Sequence, residues 1–149
     1  MLISGHILAG FVAGRFLTSY FVVFIVGVFS HYLLDAVPHN EPSGKNHHWS
    51  DYFDLMVFVA LDILGGLMIG LYLIWGKDIW LPLFGGFAAI LPDLIDNAPW
   101  SKHLRRYRFF QKSLQVHQFF HYKHEDRSRA LGYIQYVVMG LMIWLLLKS

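Results

Sequence analysis

The stretch YFVVFIVGVFSHYLLDAVPH, residues 20–39, decides how the rest of the chain is interpreted. Its first eleven residues carry no charge, and they are followed by His31 and Asp35, four positions apart. On a helix, residues i and i+4 share a face, so these two side chains project together from an apolar segment. An aspartate at the centre of a membrane helix costs about 2.5–3.5 kcal/mol on insertion scales, so such residues usually face a bundle interior and serve a site. Because imidazole and carboxylate both suit zinc, the pair predicts metal ligands; the alternative is a buried His–Asp hydrogen bond that only joins helices.

The composition predicts an integral membrane protein. Of the 149 residues, 56% are hydrophobic and 15% are charged, whereas an average soluble domain has about 25% charged residues. The length fits one domain, residues 1–149. The chain has no cysteine, which excludes disulfides and thiolate zinc sites, and its net charge of +2 is too small to argue for a nucleic-acid partner.

Apolar runs separated by breaks predict an all-α, polytopic bundle with four to five membrane helices. The predicted segments are residues 1–17, 20–37, 51–75, 79–95 and 130–147. The first of these is short for a full span, so it is either re-entrant or tilted. Small residues predict close helix contacts at Gly10 and Gly14, at Gly66 and Gly70, and on the slim face of residues 85–89.

Residues 97–129 differ from the rest because they hold eight of the twelve Lys and Arg residues. Apolar and histidine side chains recur there at spacings of three and four: Leu104, Tyr107, Phe110, Leu114, His117 and His121. This pattern predicts an amphipathic helix on an anionic membrane surface, with lipids as partners. The positive-inside rule then assigns the segment to the cytoplasm.

Counting spans from that segment brings the polar residues to one face of the membrane. The turn at residues 76–78 falls outside, and the loop at residues 38–50 falls inside. The residues predicted at or near the cytoplasmic face are His6, His31, Asp35, His39, Asp51, Asp54, Asp93, Asp96, His117 and His121. Because the spans came from hydropathy and the orientation from Lys and Arg, this convergence independently favours one site.

Two further pairs are candidates for metal chemistry. Asp93 and Asp96 lie at a predicted helix end, where paired carboxylates can ligate a metal or divide into ligand and general base, and Asp96 is the predicted base. The alternative is a helix terminus that meets water. His117 and His121 have the i, i+4 spacing with which metalloproteases hold zinc, although Gln118 replaces their glutamate. The alternative is two histidines at a lipid interface.

Four short motifs resemble a family of bacterial inner-membrane metal-dependent hydrolases, and more loosely the zinc-dependent phospholipases C. They are Gly5-His6, residues 27–35, residues 91–96 and residues 117–121. The resemblance implies a multi-pass protein of the bacterial cytoplasmic membrane. It also implies a metal site formed by His6, His31, Asp35, Asp93, His117 and His121.

These observations together predict a membrane-embedded hydrolase that uses a divalent metal, with zinc expected, on a phosphoester of a lipid or lipid-linked substrate. A basic amphipathic helix would gather anionic headgroups beside such a site. Two alternatives stay open. One is a non-catalytic protein in which a metal or His–Asp bond clamps helices, and the other is a small ion or proton transporter that uses Asp62, which lies midway along its apolar run.

Overall fold

The computed structural model describes residues 2–38, 49–96, 101–120 and 132–149. All regular structure in these ranges is helical, which confirms the predicted all-α class. The helices of the described ranges are α1 (Ile3–Phe16), α2 (Tyr20–Asp35), α3 (Trp49–Leu73), α4 (Trp80–Asp96), α5 (Ser101–Leu104), α6 (Arg108–Phe120) and α7 (Ile134–Lys148). They agree with the predicted apolar segments to within a few residues, except in the basic region.

Helix α1 is the central element of the bundle. It contacts α2, α3, α4 and α7, and most of its residues are buried. Ile7, Leu8 and Phe11 form the core with Ile74, at the end of α3, and Leu146 of α7. A helix that is apolar on every side suits such a fully surrounded position, which explains why α1 shows little amphipathic character.

Three helices meet at Gly85 of α4, where there is no room for a side chain. A Cβ atom on Gly10 of α1 would overlap the carbonyl group of Gly85, and a Cβ atom on Gly27 of α2 would lie 3.1 Å from the Gly85 oxygen. Gly14 meets Leu81 in the same way, so α1 and α4 run antiparallel. The predicted close packing of these small residues is confirmed, and it fixes the heights of α1, α2 and α4 relative to one another.

Helix α3 runs alongside α1 through the second pair of small residues. A Cβ atom on Gly66 would lie 2.7 Å from the Ser4 Cα atom, and one on Gly70 would lie 2.8 Å from the ring of Phe11. After α3 the chain turns at Gly76, whose positive φ of 77° favours glycine. The Asp78 side chain then accepts a hydrogen bond from the Trp80 N–H group at the start of α4.

The outer faces of α2, α3 and α7 carry many exposed large apolar side chains. They include Phe21, Phe29, Phe53, Met56, Met68, Tyr72, Val137 and Leu141. Among the described helices, only α3, over Phe53–Leu73, is both long and apolar enough to cross a membrane; α2 and α7 are apolar but shorter.

The basic region departs from its prediction. The expected single helix from Leu104 to His121 is interrupted at residues 105–107, between α5 and α6. The Gln111 side chain donates a hydrogen bond to the Arg105 carbonyl oxygen across this break, and Tyr107 lies exposed there instead of on the buried face. Helix α4 ends at Asp96, one residue beyond its predicted end, and contains Pro92 as expected.

Candidate metal centre

The Gly85 junction explains why two histidines meet. His6 lies one turn before Gly10 on α1, and His31 lies one turn after Gly27 on α2, so both stand just beyond the contact with Gly85 and on the same side of it. Their rings stack with centroids 4.2 Å apart and planes inclined by 28°. Both residues are completely buried.

His31 is held by the backbone of α4. Its Nδ1–H group donates to the Ala89 carbonyl oxygen over 2.8 Å, one turn after Gly85. A carbonyl oxygen can only accept, so this bond places a proton on Nδ1 and leaves the lone pair on Nε2 in the neutral ring. The Nε2 atom lies 3.1 Å from Oδ2 of Asp35, the residue one turn further along α2.

His117 enters the cluster from α6, which packs against α2 and α4. Its Nδ1–H group donates to Oδ2 of Asp96 over 3.1 Å, and its Nε2 atom lies 3.1 Å from Oδ2 of Asp35. The two Nε2 atoms of His31 and His117 are only 3.4 Å apart. In neutral rings both Nε2 lone pairs therefore point at the Asp35 carboxylate and at each other.

Burial lowers the pKa of His117, but the hydrogen bond to Asp35 and the negative charges of Asp93 and Asp35, with a further bond to Asp96, outweigh it and raise the pKa above the usual value for histidine. A proton on Nε2 of His117 is then one way to balance the negative charge of the surrounding carboxylate oxygens. A bound cation is the other way.

Asp93 stands at the accessible side of the cluster. Its Oδ1 atom lies 3.6 Å from Nε2 of His117 and 3.9 Å from Nε2 of His31. Its side chain is 21% exposed, whereas that of Asp35 is 2% exposed. Asp93 is therefore the carboxylate of the cluster that solvent or a substrate reaches first.

His6 supplies a further nitrogen. Its Nε2 atom lies 3.2 Å from Oδ1 of Asp35, the oxygen that faces away from His31 and His117. Within the described ranges neither ring nitrogen of His6 makes a hydrogen bond of good geometry, although the residue is fully buried. Buried polar atoms are normally satisfied, so this ring has the properties of a ligand.

Among the residues that the structure describes, two sets of three have donor atoms close enough to hold one metal ion. The sets are His6, His31 and Asp93, and His31, Asp35 and His117. The structure therefore brings together five of the six residues that were predicted as metal ligands, and they come from four helices. The sixth predicted ligand, His121, lies outside the described residues, as do His39 and the side chain of Asp51.

Asp96 belongs to the site, but not in the position expected for a general base. Its side chain is 2% exposed, and its Oδ2 atom accepts hydrogen bonds from His117 and, over 3.3 Å, from the Ser113 hydroxyl group. Its backbone carbonyl accepts a bond from Arg105. Asp54, in contrast, is exposed on α3 and is in neither set of ligands.

Sequence reasoning missed the parts that hold the ligands: the Ala89 carbonyl, Ser113 and the Gly85 junction. A signal for two of them was present. Ser113 lies one helical turn before His117, and Gly10 and Gly27 each lie one turn from a histidine. The Ala89 bond had no side-chain signature, because the acceptor is a backbone oxygen.

Comparison of the chain with models of protein families, with curated proteins and with solved structures gave no match.

Proposed function

We propose that this protein is a membrane-embedded, zinc-dependent hydrolase that cleaves a phosphoester of a lipid or lipid-linked substrate at the cytoplasmic membrane face. One observation carries the proposal: the lone pairs of His31 and His117 converge on the Asp35 carboxylate in a buried cluster. Two acceptor nitrogens and a carboxylate repel one another unless a cation or protons lie between them.

The spacing of the donors favours zinc. Ligands at about 2.0–2.2 Å from a tetrahedral zinc ion lie about 3.3–3.6 Å from each other. The Nε2 atoms of His31 and His117 are 3.4 Å apart and Asp93 Oδ1 is 3.6 Å from His117 Nε2, both within this range, and each Nε2 atom lies 3.1 Å from Asp35 Oδ2, slightly below it. Two imidazoles and a carboxylate are also a donor set that zinc takes in hydrolases.

Each residue then has a distinct task. His31, Asp35 and His117 hold the ion, which when bound supplies a Lewis acid for the phosphoryl oxygen and lowers the pKa of water to about 7. His6 holds the second oxygen of Asp35. We assign the general-base role to Asp93, because it is the accessible carboxylate, and an orienting role to Asp96 through Nδ1 of His117.

The outer surface supports a membrane location. Soluble monomers rarely expose apolar area on the scale seen on α2, α3 and α7. The apolar part of α3 is about 31 Å long, which matches the hydrocarbon core of a bilayer; α1, α2, α4 and α7, with 14–17 residues each, reach about 21–26 Å.

Helix α6 supports a lipid substrate. It lies at the site and exposes Phe109 and Phe119 together with the cations Arg108 and Lys112. Apolar and basic side chains on one short helix favour the surface of an anionic bilayer. A headgroup phosphate gathered there would be bound by the same helix that supplies His117 to the cluster.

A structural metal clamp is the second candidate, and the burial of His6, His31 and Asp35 favours it. Closed sites with four protein ligands stabilise a fold without reacting. The two candidates differ at Asp93: a hydrolase needs it for turnover, whereas a clamp would use it only as a fourth ligand.

The first experiment is metal analysis of the detergent-purified protein beside His31→Ala and His103→Ala. His103 is exposed on α5 and serves as the matched control. We expect one or two zinc ions per chain in the wild type and in His103→Ala, and none in His31→Ala. Hydrolysis of anionic phospholipids in vesicles should follow the zinc content. A wild type that binds no zinc even when zinc is added contradicts the proposal.

A further inference from the structure

Asp62 makes a contact that the metal centre itself does not explain. It lies near the middle of the apolar stretch Phe53–Leu73 of α3. Its Oδ2 atom accepts a hydrogen bond of 3.0 Å from the backbone N–H group of Ser4. Ser4 is in the first turn of α1, where N–H groups have no partner within their own helix.

The cap comes from a neighbouring helix because α1 has none of its own. The residue before α1, Leu2, makes no side-chain capping bond. A negative charge is also favourable at a helix N-terminus. In an apolar environment an unsatisfied N–H group would be costly, so Asp62 fixes where α1 begins.

The surroundings make this contact rigid. Gly66, one turn after Asp62, packs against the Ser4 backbone, and Ser4 is buried. Helix α3 therefore grips the first turn of α1 both by a hydrogen bond and by backbone contact. A shift of Asp62 would move that turn.

His6 is two residues after Ser4, within the same turn. Two contacts constrain its position: its Nε2 atom lies 3.2 Å from Oδ1 of Asp35, and its ring stacks on the ring of His31. We propose that Asp62 is a positioning residue of the metal centre: by holding the Ser4 N–H group, it sets the first turn of α1 so that His6 reaches Asp35. This role rests on the proposed metal site.

Positioning of α1 is a different role from ion or proton transport. A substitution that removes the charge of Asp62 but keeps an acceptor oxygen distinguishes the two roles. Positioning needs only an acceptor oxygen at the right reach, which asparagine retains. Ion or proton movement needs a titratable carboxylate, which asparagine lacks. Asp62→Asn and Asp62→Ala are therefore the informative pair, and Asp54→Ala, at an exposed aspartate of the same helix, is the matched control.

Two measurements test the role. The first is zinc affinity by chelator competition, together with the visible spectrum of the cobalt-substituted protein. We expect Asp62→Ala to bind zinc about 10–100-fold more weakly and to change the cobalt spectrum, as outer-shell changes do. Asp62→Asn and Asp54→Ala should stay within about threefold of the wild type.

The second measurement is independent of metal. Diethylpyrocarbonate modifies accessible histidines, and mass spectrometry locates the modified ring. In metal-free protein His6 should be protected in the wild type and in Asp62→Asn, and reactive in Asp62→Ala. If Asp62→Ala does not fold, Asp62→Glu replaces it, because the longer side chain keeps the charge but displaces the acceptor; it should expose His6 in the same way.

The outcomes are distinct. Protection of His6 in Asp62→Ala, or its exposure in Asp62→Asn, overturns the positioning role whether or not metal binds. If the wild type binds no metal, and His6 becomes reactive only in the Asp62 variants that lose the acceptor, then Asp62 still positions His6 and the proposed hydrolase is contradicted.

Discussion

His117 donates from Nδ1 to Oδ2 of Asp96, and the two atoms are 3.1 Å apart. This bond fixes the ring so that Nε2 faces Asp35. It explains why Asp96, which was predicted as a general base, is buried: its carboxylate is taken up by His117. The relationship leads to the first prediction.

Asp96→Asn should weaken zinc binding about 10–100-fold without abolishing it, because the amide oxygen still accepts the Nδ1–H bond but no longer carries charge. Ser113→Ala, which removes only the longer bond to Asp96, should have a smaller effect. Chelator competition measures both. Equal zinc affinity in Asp96→Asn and the wild type would show that Asp96 does not support His117.

Asp93→Asn should separate binding from turnover. Removing a general base costs about 10²–10⁴-fold in rate, while the three buried ligands keep the zinc. Asp35→Asn should instead lose the metal, because Asp35 contacts all three histidines. Zinc content and phospholipid hydrolysis are measured on the same preparations. Asp93→Asn with full activity would overturn the general-base role of Asp93, whereas zinc-loaded wild type without hydrolytic activity would favour the structural clamp.

Zinc binding should weaken as the pH falls, since only a neutral ring ligates the ion. His117 has a raised pKa because Asp35, Asp93 and Asp96 favour its charged form, so protons should begin to compete at a higher pH than with an ordinary histidine. Removing the Asp96 charge lowers that pKa, and in Asp96→Asn the weakening should begin at a lower pH. Zinc affinity measured through the neutral range tests the sign, and an unchanged onset in the variant contradicts it.

Gly85→Ala should destabilise the bundle and impair the site together. The new Cβ atom would overlap the Gly10 carbonyl oxygen, and overpacking of this kind costs about 1–3 kcal/mol or more. Gly65→Ala is the matched control: it is also within a helix but has open space around it, so the higher helix propensity of alanine should leave stability equal or improved. Thermal unfolding in detergent compares them, and equal stability would show that the junction tolerates a side chain.

The proposed topology places the C-terminus of α7 on the external side. A reporter active only outside the cytoplasm should therefore work when fused there, and a reporter inserted at the Gly76 turn should behave alike. A cytoplasmic C-terminus would contradict the arrangement of the spans.

The sequence predicted the site best where a residue type is rare in its surroundings unless it has a specific role. Ionisable side chains in an apolar helix predicted His31 and Asp35, the i, i+4 histidine spacing predicted His117, and spacings of four predicted which glycines pack closely. It was less informative where geometry depends on the backbone. The break at residues 105–107 and the Ala89 bond to His31 involve main-chain groups, which every residue carries. Asp96 is buried because α6 packs against α4. A local sequence pattern cannot predict such a contact between separate helices.

The ligands are divided by the turn at Gly76. His6, His31 and Asp35 precede it, whereas Asp93 and His117 follow it. A chain cut at this turn would yield two fragments, neither of which carries all five of the proposed ligands. Under the proposed function, bound zinc would report that two separately synthesised halves had associated in the membrane, so a chain divided at this turn could serve as a split sensor of membrane-helix association.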